Sequence, residues 1–405
     1  MNKRKLYFSV ISQLQDKEFC IITGPRQSGK TVLLSQIAEY LKNSGEKVLN
    51  ITLEDPLILK RLNEHPEKVF DYIIPDHSKR QFLLIDEIQY LNNPANFLKL
   101  LYDLHQPWLK IVATGSSAFY IDKKFDDSLA GRKHLFELFT LGFDEFLEFK
   151  TGNRELTSEL EQIRNRKEYA SLRFNEIENY FMEYITYGGY PAVVLAPDRE
   201  KKITMLKEIL NSYVKRDITE SGINETEKFY HLMLLLSHQT GRLVNMNELA
   251  NTLRLSITAV VNYLYALRKC YHIQFIRPFY MNLRKELTKM PKVYFNDLGI
   301  RNVLMNLFSQ VGQRIDRGEL TENYAYIRLR DSRAYDSMFY WRTSDGHEVD
   351  FIIRDSLTSG EAFEIKYDYN SFNPVRYRKF REAYPGIPLK CFSLTGTVGN
   401  HVLKL

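Results

Sequence analysis

Eight residues, Gly24-Pro25-Arg26-Gln27-Ser28-Gly29-Lys30-Thr31, follow a short apolar run, Phe19 to Ile22. They precede apolar residues at helical spacing: Leu33, Leu34, Ile37, Ala38 and Leu41. The pattern GxxxxGK[ST] between a strand and a helix binds phosphate. Its glycines let backbone N–H groups converge on phosphate oxygens, and the helix N-terminus adds a favourable dipole. All eight residues are therefore expected to line a nucleotide site. Lys30 would reach the β and γ phosphates of ATP, and the Thr31 hydroxyl would coordinate Mg²⁺.

A second apolar run, Phe82 to Ile85, ends in Asp86 and Glu87. The C-terminal end of a strand is where an open parallel sheet places its ligand. Asp86 is expected to hold Mg²⁺ through water, and Glu87 to orient and deprotonate the attacking water, which favours hydrolysis over binding alone. A third strand, "LKIVATGSS" (109–117), ends in Thr114 and Ser116, candidates for a polar contact to the γ-phosphate. Beyond it Arg132 is a candidate to stabilise transition-state charge, in its own subunit or a neighbour's. Arg216, in "KRDI", is an alternative, with a salt-bridged helix end as the plainer reading.

Near the C-terminus, "GELTENYAYIRLRDS" reads as a helix carrying Glu322 beside an apolar stripe of Leu320, Tyr324, Ile327 and Leu329. Two strand-like runs follow. "EVDFII" sets Val349, Phe351 and Ile353 on one face and Glu348 and Asp350 on the other; "AFEIKY" sets Phe363, Ile365 and Tyr367 against Glu364 and Lys366. Asp350 and Glu364, with Glu322, are candidate ligands for one or two Mg²⁺ ions that would activate water at a phosphodiester. Lys366 would position the nucleophile or offset charge. An amphipathic hairpin with charges outside produces the same pattern. Helix with Glu, strand with Asp, strand with Glu-x-Lys, then a basic helical segment resembles the PD-(D/E)xK nuclease superfamily, with Val349 at the position of the proline in its name.

The bulk composition fits a globular protein: 405 residues, 44% apolar, 26% charged and 13% aromatic. The net charge of +6 permits a polyanionic partner without requiring one. Three scattered cysteines and no CxxC pair argue against a zinc ribbon or a disulfide framework. No run approaches the length of a membrane span, and a cytoplasmic protein with no membrane association is expected.

In order along the chain, "GPRQSGKT", "LLIDEIQ", "ATGSSA", "SLAGR" and "FDEFLEF" closely resemble a large prokaryotic family of AAA-type ATPases whose C-terminal region has long been catalogued as a domain of unknown function. "YGGYPAVV", "YVKRDI" and "GELTENYAYIRL" extend the likeness across nearly the whole chain. The resemblance implies an ATPase related to the AAA+ and signal-transducing classes, followed by a winged helix and a nuclease-like fold.

The expected fold is α/β: a P-loop NTPase core with a parallel sheet over 1–150, a charged linker and helical lid beside the nucleotide over 151–222, a winged helix-turn-helix over 223–292, and an α/β restriction-endonuclease-like domain over 293–405. "NELANTLRLSITAVVNYLYALRK" has helix-turn-helix spacing with Ser256 as N-cap of its second helix. Arg277, Arg284, Lys285, Lys289 and Lys292, against Glu286, make the following wing basic. DNA, held through its backbone with weak sequence specificity, is the expected partner, because the second helix offers few side chains that read base edges. Packing or dimerisation is the alternative use of such a module. The functional expectation is an Mg²⁺-dependent ATPase acting on DNA, assembled as a homo-oligomer. The alternative is a switch ATPase with an inert C-terminal binding module.

Overall fold

The computed structural model describes residues 2–115, 129, 131–166, 169–221, 223, 225–280, 286, 289–332, 335–356, 359–396 and 401–405, without the side chains of 213–221 and 335. Ser116, Arg284, Lys285 and the Arg216 side chain therefore lie outside the described residues. The chain divides into two compact units, 1–139 with 269–271, and 140–268 with 272–405.

The first unit is built on a parallel sheet of β1 (Phe19–Thr23), β2 (Lys47–Thr52), β3 (Gln81–Asp86), β4 (Leu109–Gly115) and β5 (Lys133–Glu137), in the order β2-β3-β4-β1-β5. β1, β3 and β4 are buried along their whole length, which explains their unbroken apolar runs. Alternate residues serve opposite faces. Cys20, Ile22, Leu84 and Val112 pack with Leu33, Leu34 and Ile37 of the helix Lys30–Asn43, whereas Ile21, Ile85 and Ile111 pack with Phe97, Leu98 and Leu101 of the helix Pro94–His105. Pairing of Thr23 with Gly115 and of Ile85 with Ala113 brings the C-terminal ends of β1, β4 and β3 together.

The second unit contains a mixed sheet of β6 (Ile273–Pro278), β7 (Lys292–Phe295), β8 (Met338–Arg342), β9 (Glu348–Arg354), β10 (Gly360–Asp368) and β11 (Leu389–Thr395), ordered β11-β10-β9-β8-β6-β7. β6 and β7, which span the segment expected as a wing, pair antiparallel with each other and also form the far side of the C-terminal sheet, with Arg277 and Pro278 paired in parallel to Phe339 and Tyr340. Lys292 and Glu286 of that segment are buried, and Arg354 reaches Glu286 at 3.2 Å. The edge strand β7 is closed by Asn323, whose side chain exchanges two 2.8 Å hydrogen bonds with the Phe295 backbone. Val349 packs with Ile352 in one core while Phe351 and Ile353 pack in another, so the single apolar face expected for β9 is divided.

The helix Arg317–Ser332 lies on β10 and buries Leu320, Tyr324, Ile327 and Leu329 as its stripe requires. The first part of the segment expected as linker and lid belongs to this same core, while Tyr190, Val193, Leu206, Ile209 and Leu210 of that segment pack in another. Leu156, Leu160 and Ile163 of the helix Glu155–Asn165, and Ile177, Phe181 and Tyr184 of the helix Phe174–Tyr187, pack around Leu320 and Tyr324. Phe181 and Tyr324 meet edge to face at 4.6 Å. Their apolar stripes needed a partner, and the C-terminal sheet supplies it. A separate core joins the helices Thr226–His238, Met246–Leu253 and Ile257–Lys269. Arg254 adopts a left-handed conformation between the last two, and Ser256 Oγ accepts from Ala259 N at 3.1 Å as the expected cap. Among the described residues no helix is long and apolar enough to cross a membrane.

Candidate nucleotide site and carboxylate cluster

The phosphate-loop pattern sits between β1 and the helix Lys30–Asn43. Gly24 (φ +151°) is required by close approach, since a Cβ there would stand 2.1 Å from the Leu138 carbonyl oxygen. Gly29 (φ +97°) opens the helix in a conformation that favours glycine, and a Cβ there would meet nothing within 4 Å. The Lys30 ammonium folds over the loop and donates to the carbonyls of Gly24 (3.0 Å) and Pro25 (2.8 Å). Ser28 Oγ is buried without a hydrogen-bond partner. Open space beside the loop and an unsatisfied buried hydroxyl fit a bound polyphosphate.

The end of β3 joins this loop. Thr31 Oγ1 donates to Asp86 Oδ2 at 2.8 Å, and the Thr114 hydroxyl donates to Asp86 Oδ1. Thr114 Oγ1 also accepts from the Glu87 backbone at 3.0 Å. Glu87 has φ +59°, which turns the chain sharply after the strand, and its carboxylate accepts from Gln89 Nε2. Thr31, Asp86, Thr114 and Glu87 are thus brought together as the sequence implied. A hydroxyl paired with a carboxylate, in a loop lined with backbone amides, is the donor set that suits Mg²⁺ with phosphate.

Arg132 is not part of this constellation. Its backbone oxygen accepts from Phe19 N at 2.9 Å, at the opposite end of β1 from the phosphate loop, and its guanidinium forks onto Asp103 at 2.8 and 3.3 Å. Four strand residues at roughly 3.3 Å each separate that edge from the loop. Two residues went unnoticed in the sequence. Gln89 holds the Glu87 carboxylate. Arg4, buried, donates to the Ser28 carbonyl at 2.8 Å and to that of Phe139 at 2.9 Å, bracing the loop from below. In the sequence Arg4 is one of several basic residues at the start, and nothing marks it.

In the second unit the candidate carboxylates surround an unexpected cation. Lys292, 1% exposed, lies 3.0 Å from Glu322 Oε1, 2.5 Å from Glu348 Oε1 and 3.6 Å from Asp350 Oδ1. Tyr294 also donates to Glu322 Oε1, at 2.5 Å. Burial alone would depress the lysine pKa, but Glu322, Asp350 and Glu348 overcome it and hold Lys292 charged. Glu322 is pushed up to about 7 by burial, with Lys292 opposing and the Asp350 charge adding.

β9 and β10 pair as far as Phe351–Phe363 and then part, and Asp350 Oδ2 takes the next amide, Ile365 N, at 2.8 Å. In the notch Glu364 is 3% exposed and its Oε1 accepts from Lys366. Burial first, then the Asp350 charge, push Glu364 up to about 8 against Lys366 and the nearby Tyr377 hydroxyl. Glu364 Oε2 nevertheless lacks a partner at hydrogen-bonding geometry. Asp350, Glu364 and Lys366 are therefore gathered, and Glu322 is drawn aside to Lys292. Among the described residues, the one group of three or more potential ligands with all ligand atoms within 4.8 Å is Asp16, Glu18 and His134.

Residues 16–147 match a family model described as an AAA domain. With its sheet and phosphate loop, the first unit is an AAA-type P-loop domain. Beyond the AAA domain, residues 178–311 and 317–397 match two domains of unknown function (DUF8612 and DUF4143). An uncharacterized protein of Methanocaldococcus jannaschii is 28% identical over 379 residues, 89% of this chain and 77% of that one. Another, of Haemophilus influenzae, is 28% identical over 384 residues, 90% of this chain and 88% of its own. The structure of AMPPCP-bound DnaA from Aquifex aeolicus aligns with 65% of this chain and 87% of that one at 17% identity. Its TM-score is 0.31.

Proposed function

We propose that the chain is an Mg²⁺-dependent ATPase acting on DNA. The observation that carries hydrolysis is the Thr31–Asp86–Thr114–Glu87 constellation at the end of β3. When bound, Mg²⁺ offsets charge on the phosphate oxygens. The loop amides and Lys30 hold the phosphates, Asp86 fixes the Thr31 hydroxyl, and Glu87, steadied by Gln89, takes the proton of the attacking water. Arg132 faces away from its own nucleotide, so a catalytic role for it belongs to a neighbouring copy in a homo-oligomer.

The DNA side rests on the second unit. Exposed Arg376, Arg378, Lys379 and Arg381 flank Tyr377, which stands against Glu364 in the carboxylate notch. A row of cations beside an ion-binding carboxylate pair suits a phosphodiester backbone. Asp350 and Glu364 fit one divalent ion, because Glu364 Oε2 is buried and unpartnered, and Lys366 would offset charge at the scissile phosphate. The winged-helix and nuclease-like readings of the second unit belong to this proposal. ATP hydrolysis is to be measured with no DNA and with single-stranded, duplex and branched DNA, and cleavage compared between the parent and Lys366→Ala. Stimulation by at least one DNA form is expected; a rate indifferent to all of them sinks the DNA reading.

One observation favours a second reading, a switch ATPase with a protein partner. Ile257 (51%), Val261 (45%) and Tyr265 (37%) form an exposed stripe at i, i+4 and i+8 on the helix Ile257–Lys269, where a DNA reader would carry polar side chains. A change of assembly between ATP and ADP on sizing chromatography, with no DNA effect, would select it.

A further inference from the structure

The notch that the proposed function gives to a divalent ion already contains a cation of the protein's own. We propose that Lys292 is the resident counter-ion of the C-terminal cluster, so that the cluster takes one divalent ion, at Asp350 and Glu364, and Glu322 is not a metal ligand. This inference rests on the ion-binding reading above and sharpens it.

The division of labour follows from the contacts. Glu322 Oε1 is taken by Lys292 at 3.0 Å and by the Tyr294 hydroxyl at 2.5 Å. Glu348 is taken by Lys292 at 2.5 Å and, on its other oxygen, by Arg342 at 3.0 Å. Lys292 cannot swing out to make room: it extends from β7, and its side chain is 2% exposed. Asp350 differs from both. Its Oδ2 is fixed by the Ile365 amide, while Oδ1 has only the looser 3.6 Å approach of Lys292. Glu364 presents an unpartnered Oε2. Asp350 Oδ1 and Glu364 Oε2 remain for an ion, whereas Glu348 is engaged on both oxygens and Glu322 on Oε1.

Charge points the same way. Lys292, held charged by Glu322, Asp350 and Glu348, already occupies the space between these carboxylates where a second cation would stand. A buried excess of like charge is costly, so the lysine sets the stoichiometry. Without Lys292 four carboxylates would share a largely buried space, and the sequence pattern would describe a two-ion site. With it, the helix acid serves to position Lys292, and through it Glu348 and Asp350.

The test counts ions bound by the nucleotide-free full chain titrated with Mn²⁺ alone, by electron paramagnetic resonance, with thermal melts to establish that each variant is folded. Asp350→Asn and Glu364→Gln are each expected to bind one ion fewer than the parent, and Glu322→Gln to bind as many as the parent. Lys292→Met, if folded, is expected to gain one. Loss of the Asp350-dependent ion in Glu322→Gln, or two Asp350-dependent ions in the parent, overturns the assignment of Lys292. A count unchanged by both Asp350→Asn and Glu364→Gln instead removes the ion site itself, a distinct outcome.

Discussion

The Thr31 hydroxyl donates to Asp86 Oδ2 at 2.8 Å, tying the phosphate loop to the end of a strand two places away in the sheet. Asp86 receives a second hydroxyl from Thr114, so its carboxylate is held on both oxygens before any ligand arrives. Preorganisation of this kind lowers the cost of assembling the site at each turnover. Asp86→Asn keeps the shape and removes the charge. It should leave ATP binding within a few fold of the parent and lower hydrolysis by about two to three orders of magnitude, as phosphate release will show. An unchanged rate would remove Asp86 from the site.

Gln89 makes a narrower prediction. Its amide fixes the Glu87 carboxylate, and a base held in place gains over one that wanders. Gln89→Ala should lower kcat about tenfold with KM for ATP unchanged, since roughly 1.4 kcal/mol of orientation is a factor of ten. Equal kcat in steady-state kinetics would mean that Gln89 serves packing alone.

A third prediction concerns stability in the second unit. Asp316 Oδ2 accepts from Arg301 at 2.7 Å and from Arg314 at 2.6 Å, all three side chains being buried. Burial would raise the Asp316 pKa, but the Arg314 hydrogen bond and the Arg301 charge outweigh it and hold it at about 2. A carboxyl held below its unfolded value stabilises the fold above that value, here near pH 4. The contribution, about 2 kcal/mol, is lost as pH falls through 2. Asp316→Asn should lack this acid-sensitive component. At pH 7 it should cost about 3–5 kcal/mol, because two arginines are left without their carboxylate. Denaturant melts between pH 2 and pH 7 will measure both.

The nucleotide site was legible because its chemistry is local. Gly24 to Thr31 are contiguous, and Asp86-Glu87 close an apolar run whose burial on both faces leaves little else for it to be. The C-terminal cluster was half legible. Asp350, Glu364 and Lys366 lie on two neighbouring strands and their alternation was readable, but Lys292 comes from β7, separated from β9 in the sheet by β8 and β6. Its basic neighbours made it look like part of a wing. Alternation also fails to tell an exposed carboxylate from one buried against a lysine, so Glu364 was readable as a candidate ligand but its burial was not. Within 151–222, expected as linker and lid, the apolar stripes of the helices Glu155–Asn165 and Phe174–Tyr187 say that a partner exists, not which one. Arg4 and Gln89 carry no pattern at all; only the folded loop gives them work.

The central claim is tested most directly by steady-state ATP hydrolysis of the parent against Glu87→Gln. The parent should release phosphate in an Mg²⁺-dependent reaction. Glu87→Gln should bind ATP with similar affinity and release phosphate at least about a hundredfold more slowly, as expected on losing a general base. Hydrolysis by Glu87→Gln at the parent's rate, or no hydrolysis by a folded parent that binds ATP, would contradict the account.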